Sequence, residues 1–213
     1  MDRLEQISTL NRIYQVSRET TIDLEKFEKI LIEGNKSVNL IAKSTIAQIW
    51  QRHILDSIQV IDFIDKNDKM LTDLGSGAGF PGLVLAIVAK WKNFPLKICL
   101  VEKSKRKTEF LRETIKKLNL DVDVVCKNIL LEPKKIVSDV LVARAFKPLP
   151  IILKLIHNND VNFKKFFVFL GKSGKDQLLQ ASKAWDIKYK QRMSITNTDS
   201  FIIEINELTK KVN

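Results

Sequence analysis

Met70-Leu71-Thr72-Asp73-Leu74-Gly75-Ser76-Gly77-Ala78-Gly79-Phe80-Pro81-Gly82 is the stretch that decides how this chain folds. A short apolar run reaches an acid and then meets four glycines within eight positions. An apolar segment of helical character, Leu83 to Ala89, follows at once. A backbone needs that many glycines where it must turn sharply and let another molecule come close. Strand, glycine turn and helix in succession open a nucleotide-type site in an α/β sheet.

Downstream, short apolar runs alternate with helical ones. Strands are expected at Met70–Leu74, Ile98–Val101, Val122–Cys126, Val140–Ala143 and Phe166–Leu170. Helices are expected between them, at Pro81–Ala89, Ser104–Leu118, Leu149–Ile156 and Lys175–Lys183. That alternation implies a parallel sheet with crossover helices. Ile187–Met193 and Phe201–Ile205 are extended runs joined by polar Ser194–Ser200, an antiparallel pair closing one edge of the sheet. Residues 1–66 read as helical. Leu24, Phe27, Ile30 and Leu31 form the inner face of one helix, with Thr21 or Asp23 as its cap and Gly34-Asn35 as its end. A second amphipathic stretch runs from Ile46 through Trp50, Ile54, Ile58 and Ile61, after an irregular connection at Ser37–Ile41. The organisation expected is an N-terminal helical extension, 1–66, packed on a sheet domain, 67–213.

The chain has 213 residues and 45% hydrophobic content, enough for a sizeable core. No stretch approaches the roughly 20 apolar residues that span a bilayer. The start, Met1 to Gln6, is polar and lacks a signal-peptide core. Cys99 and Cys126 both fall in apolar runs and read as buried free thiols, so neither a disulfide nor a metal site is expected. The chain reads as cytoplasmic. Its net charge of +11 is uneven: residues 1–69 carry 10 basic and 11 acidic side chains, residues 70–213 carry 26 and 14. The surplus sits wholly in the part that holds the glycine turn, which favours a polyanionic partner such as nucleic acid.

Two cofactors fit the turn. Gly77-Ala78-Gly79-Phe80-Pro81-Gly82 matches the dinucleotide fingerprint, and Glu102 falls twenty residues past Gly82, near where a ribose-binding acid belongs. Against a dinucleotide stand the early Gly75, the lack of a separate substrate domain, and Pro81, which removes a backbone donor where a pyrophosphate would want one. Asp73-x-Gly75-x-Gly77-x-Gly79, with an acid ending the next strand, instead resembles the S-adenosylmethionine-dependent methyltransferases. Proline suits the first helical position there. Glu102 would accept from both ribose hydroxyls, and Asp73 could meet the amino-acid ammonium directly or through water.

The flanks narrow the choice. Asn39-Leu40, Arg52-His53-Ile54-Leu55-Asp56-Ser57, the glycine turn, Glu102-Lys103-Ser104-Lys105-Arg106-Lys107 and Arg144-Ala145-Phe146 occur in that order. Together they resemble the bacterial small-subunit ribosomal RNA guanine-N7 methyltransferases, also called glucose-inhibited division protein B, from about Phe27 to Ile205. The resemblance implies a Rossmann-like α/β methyltransferase fold: a mostly parallel seven-stranded sheet with a C-terminal antiparallel hairpin, preceded by N-terminal helices. It implies S-adenosyl-L-methionine as cofactor, with Asp73, Gly75, Gly77, Phe80, Glu102, Ile129, Leu130 and Arg144 around it. Leu130, or Asn128 on the other side, would flank the adenine together with Ile129. It also implies 16S ribosomal RNA or the 30S subunit as partner; a monomer is expected. Two departures are visible: Asn39-Leu40 is followed by Ile41 rather than the threonine of many relatives, and Gly171-Lys172 reverses their Lys-Gly.

Guanine N7 carries a lone pair and no proton, so alignment matters more than acid–base chemistry and no obligatory catalytic residue is expected. Arg144, Asp73 and His53 are the positioning candidates. His53 and Asp56, three residues apart, are read as a hydrogen-bonded pair on one helix face, helping to dock the N-terminal helices on the sheet. Arg52, Lys103, Lys105, Arg106, Lys107 and Lys172 are the candidates for RNA contact. Phe80 and Phe146 could stack on the adenine or on a flipped base. Rival readings are an NAD(P)-dependent oxidoreductase and a non-catalytic RNA-binding protein on the same fold. Tyr14 and Tyr189, the only tyrosines, lie outside the motif that a hydride-transfer enzyme would need.

Overall fold

The computed structural model describes residues 3–131 and 136–211. Met1 and Asp2, from the polar start, lie outside them. One seven-stranded sheet, ordered β3-β2-β1-β4-β5-β7-β6, organises the chain. Its strands are β1 (Met70–Leu74), β2 (Lys97–Glu102), β3 (Val122–Cys126), β4 (Val140–Arg144), β5 (Lys165–Leu170), β6 (Trp185–Met193) and β7 (Phe201–Lys210). The first five are mutually parallel; β7 pairs antiparallel with β5, and β6 with β7.

The inner strands β1, β2, β4 and β5 read as apolar runs because both their faces are covered. Val140 and Val142 point into one core, Leu141 and Ala143 into the other. Ile98 and Leu100 oppose Cys99 and Val101 in the same alternation. On one face lie α4 (Gly82–Trp91) and α5 (Lys105–Leu118); on the other, α6 (Leu149–Asn158) and α7 (Gly174–Ser182). Ser104 caps α5 by accepting from the Lys107 amide, and Asn119, left-handed at φ 49°, ends it.

Every residue of α4 from Gly82 to Ala89 is buried. A helix apolar all round must be covered on both sides. The sheet covers one side; α2 (Arg18–Gly34) and the short α3 (Asp56–Ile58) pack on the other, with α1 (Arg3–Tyr14) beyond them. The cap of α2 is Ser17, whose Oγ accepts from the Thr20 amide, and not Thr21 or Asp23. Asp23 is buried instead and accepts from Lys90 Nζ and Trp91 Nε1 at the end of α4, a tie between layers that local patterning does not reveal.

The expected amphipathic helix over 46–61 is divided. A 3-10 turn (Lys43–Gln48), a π-helical turn (Trp50–Leu55), α3 and a second 3-10 turn (Ile61–Phe63) follow one another. Ile49 with Ile54, and Trp50 with Leu55, are buried pairs five residues apart. That spacing aligns on a π-turn rather than an α-turn. Cys99 is buried, whereas Cys126 is exposed, because β3 is an edge strand covered on fewer sides.

Candidate active site

Chain order reverses between β1 and β4: from β1 the sheet grows through β2 and β3 on one side, through β4 and β5 on the other. Ligands of open α/β sheets bind outside the carboxyl ends of strands at such a point. The glycine turn, Glu102 and Arg144 all lie there.

The turn is held from beneath. The amides of Gly75 and Ser76 both donate to the Val101 carbonyl. Gly75, Gly77 and Gly79 have φ of 76°, 59° and 98°, a region that L side chains rarely adopt. Asp73 is fully buried, and its Oδ2 accepts from the Gly82 amide (2.9 Å). A side chain at Gly82 would meet Asp73 Oδ2 at 2.7 Å and Leu100 at 2.3 Å, so only glycine lets this bond form. The other oxygen, Oδ1, is buried without a hydrogen-bond partner. Burial pushes the Asp73 carboxyl up to about 7, against the pull of the Gly82 amide. Thus Asp73, the candidate to meet a ligand ammonium directly or through water, is buried inside the turn and fastens strand to helix. Pro81 is the N-cap residue of α4, one position before the place expected for it.

Glu102 ends β2 beside the turn. Its Oε2 accepts from the Gly77 amide (3.0 Å) and its Oε1 from the Ser104 amide (2.8 Å). These bonds fix the plane of the carboxylate and leave a lone pair on each oxygen for a diol. A cavity of 220 Å³ opens above it, lined by Gly75, Gly77, Lys103, Lys107, Lys127, Asn128, Ile129, Leu130 and Phe146. Ile129 is buried and Leu130 partly exposed, giving a carboxylate at one end and an apolar wall at the other.

A larger cavity of 550 Å³ lies across Ala145 and Phe146, which line both. Its walls include His53, Asp56, Arg144, Phe169, Gln177, Ser194 and Phe201. The Phe146 ring rests against Gly75, where a Cβ would fall 2.1 Å from Cδ2. It forms the partition between the two spaces, and Ala145 before it has a left-handed φ of 49°.

Arg144 joins three elements. Its Nε donates to Asp56 Oδ2 (2.8 Å), Nη1 lies 3.3 Å from His53 Nδ1, and Nη2 donates to the Arg52 carbonyl. Asp56 Oδ1 accepts from Gln59 Nε2 (3.0 Å), Ser194 Oγ (3.2 Å) and Thr196 Oγ1 (2.9 Å). His53 and Asp56 therefore do not pair with each other as the helical spacing suggested; each meets Arg144, because the π-turn rotates them toward β4. Burial, then the Arg144 guanidinium, lowers the His53 imidazole to about 4, so the ring is neutral. Its Nε2 is 3.0 Å from Thr45 Oγ1.

Phe80 is buried under that ring. It stacks on His53 with centroids 5.0 Å apart and tilts against Phe27 at 5.3 Å. It lines neither cavity, so the stacking on a ligand that sequence suggested has no open face. Among the basic candidates, Lys103 and Lys107 line the smaller cavity, while exposed Lys105 does not. Arg106 donates to the Ser37 carbonyl and ties α5 to the N-terminal helices. Lys172 is exposed beyond β5, outside both cavities. Sequence reasoning missed Ser194 and Thr196, which are 138 and 140 residues from Asp56 and carry no local signal.

Residues 20–204 match the family described as GidB, rRNA small subunit methyltransferase G. A protein of Pelagibacter ubique, "Ribosomal RNA small subunit methyltransferase G", is 41% identical over 198 residues, covering 92% of each chain. Among solved structures, TrmK of M. capricolum in complex with S-adenosyl-homocysteine aligns with a TM-score of 0.53 at 18% identity, over 70% of this chain and 66% of that one. A putative S-adenosyl-L-methionine-dependent methyltransferase of Methanococcus maripaludis aligns with a TM-score of 0.55 at 16% identity, over 87% and 94%. The sheet described above is the methyltransferase fold.

Proposed function

This chain belongs to the rRNA small subunit methyltransferase G family, and we propose that it transfers a methyl group from S-adenosylmethionine to N7 of a guanine in 16S ribosomal RNA. The observation that carries this reading is the pair of cavities at the order reversal of the sheet, one ending on a fixed carboxylate and both walled by Phe146. The residues around the smaller cavity suit the cofactor. Glu102 offers acceptors to a ribose diol, Ile129 and Leu130 offer an apolar wall to adenine, and the glycine turn lets a ligand approach the backbone. Asp73, with its unpartnered Oδ1 beneath the turn and its carboxyl raised to about 7 by burial, would be drawn to its ionised form by a ligand with an ammonium and a sulfonium.

S-adenosylmethionine supplies a methyl group on a sulfonium; the N7 lone pair of the base takes it as the C–S bond breaks and the electron pair stays on sulfur. What the chain contributes is alignment. Phe146 stands at the boundary the two cavities share, where the methyl-bearing end of the cofactor meets the base, and Ala145 and Arg144 at the end of β4 border the larger cavity, where a purine fits. Holding two reactants in line can supply about 7–11 kcal/mol of the barrier. Arg144 is fixed through Asp56 and does not drift, and neutral His53 leaves the base side without a second competing cation. The attacked atom carries no proton, so no general base is required.

We assign Arg52, Lys103 and Lys107 to RNA contact, the enzyme to the cytoplasm, its active form to a monomer, and its substrate to the 30S subunit. The test is transfer of labelled methyl to 30S subunits, followed by mapping of the modified nucleotide. Label at a single guanine, with strand scission at that nucleotide after borohydride reduction and aniline treatment of the 7-methylguanine, is the expected result. Cofactor binding by calorimetry without label in the RNA would leave a non-catalytic RNA-binding protein.

A further inference from the structure

Beside the larger cavity lies a polar groove of 410 Å³, bordered on one side by Gln48, Gln51 and Arg52 and on the other by Thr196, Asn197 and Ser200. The two spaces share Asp56, Arg144 and Ser200, so the Asp56–Arg144 pair is their common wall. The groove has no part in holding the cofactor or the reacting base. Its sides are fixed to one another: Gln51 Nε2 donates to the Thr196 carbonyl (3.4 Å), and Asp56 holds both Ser194 and Thr196.

Its chemistry points to nucleic acid. The exposed amide of Gln48 makes no hydrogen bond among the described residues, and that of Asn197 uses only Oδ1, which accepts from the Asp199 amide. Planar amides with free donors and acceptors match base edges. The exposed Arg52 side chain makes no ion pair among the described residues. Arg144 engages three of its N–H groups, leaving two of the five that a guanidinium carries. Asp56, the one carboxylate lining the groove, already accepts four hydrogen bonds and offers little repulsion to a phosphate.

We propose that this groove holds the nucleotide next to the target guanine. Gln48 and Asn197 meet its base edge, and the phosphate joining the two nucleotides crosses the wall at Arg144 and Arg52. This rests on the proposed function, since it takes the larger cavity as the seat of the methylated base. Phosphate contacts set the register of the strand, and amide contacts supply preference for the neighbouring base. Single-stranded RNA with its bases splayed out is the form that fits two adjoining pockets.

The test places a photoreactive p-benzoylphenylalanine at position 197 and irradiates the protein with 30S subunits that lack the methyl group. The expected cross-link falls within one or two nucleotides of the guanine that the wild-type protein methylates. A cross-link confined to a ribosomal protein or to distant RNA overturns the inference while leaving the methyl-transfer reading intact. As a second measurement, the double variant Gln48→Ala, Asn197→Ala should raise KM for 30S subunits about tenfold, the effect of losing roughly 1.4 kcal/mol of hydrogen bonding. Its affinity for S-adenosylmethionine should stay unchanged. A KM equal to wild type overturns the inference. Failure of the wild-type protein to label 30S RNA would instead strike the proposed function.

Discussion

Replacing Asp56 by alanine removes the acceptor on which four donors from three segments converge: Arg144 Nε, Gln59 Nε2, Ser194 Oγ and Thr196 Oγ1. The Asp56 and Arg144 side chains are only 15% and 17% exposed. Breaking a buried pair from one side costs about 3–5 kcal/mol, because the remaining charge keeps its desolvation without its partner. Here the two hydroxyls can turn toward water in the adjoining cavities, so the lower end, about 3 kcal/mol, applies. For a chain of this size each kcal/mol shifts Tm by roughly 2–4 °C, so Tm should fall by about 6–12 °C. Asp56→Asn keeps an acceptor for the hydroxyls and loses the charge, and should fall between variant and wild type. The assay is urea and thermal denaturation followed by circular dichroism, with Arg144→Ala and the double variant completing a cycle. A coupling of about 1–3 kcal/mol is expected. Strict additivity, or an Asp56→Ala midpoint within about 1 °C of wild type, would refute the view that this carboxylate clamps β4 to the hairpin loop.

Glu102→Gln should weaken S-adenosylmethionine binding by about ten- to a hundredfold, the loss of charge-assisted bonds to a diol; unchanged calorimetric affinity would remove the carboxylate from the site. Gly75→Ala must take φ of 76° and displace the Phe146 ring, so a stability loss of at least 1–2 kcal/mol is expected in denaturant titrations, and a neutral substitution would contradict the described turn. His53 has its pKa lowered to about 4 in the fold against about 6.5 unfolded, so the unfolded chain takes up a proton first. The folded state therefore loses stability as pH falls from 6.5 toward 4, by about 2 kcal/mol after allowing for partial exposure. Asp73 acts in the opposite sense: its pKa, raised to about 7, makes the fold lose stability as pH rises from about 4 to 7. The two offset in wild type, and His53→Gln should expose the Asp73 slope; a pH-independent difference between wild type and this variant would refute the His53 assignment.

The parallel core was legible because its strands are buried on both faces, which writes continuous apolar runs such as Leu141-Val142-Ala143 into the chain. The hairpin was legible from its polar connection, although β7 continues to Lys210 because its outer half pairs only with β6. The π-turn at Trp50–Leu55 was not legible: Trp50, Ile54, Ile58 and Ile61, at three- and four-residue spacing, also satisfy an ordinary amphipathic helix. Glu102 stood out because a strand-ending acid follows a glycine turn at a known interval. The roles of Asp56, Ser194 and Thr196 were hidden because their meeting is a product of tertiary packing across some 140 residues. Phe80 looked like a ligand platform from its place in the motif, yet α2 supplies Phe27 to cover it.

Helix α4 has no face for water, and this bears on how the chain comes off the ribosome. Synthesis delivers Arg3 to Ile64 before Gly82, so the segments that will roof α4 are outside the tunnel when its apolar surface emerges. Its floor, the sheet, gains β4 and β5 only some eighty residues later, and β6 and β7 after those. During that interval the early helices already cover one side of Leu83–Ala89, an order of events that limits exposure to chaperones and to aggregation. A circular permutant moving residues 3–64 to the far end would keep every contact of the finished protein and forfeit that shelter.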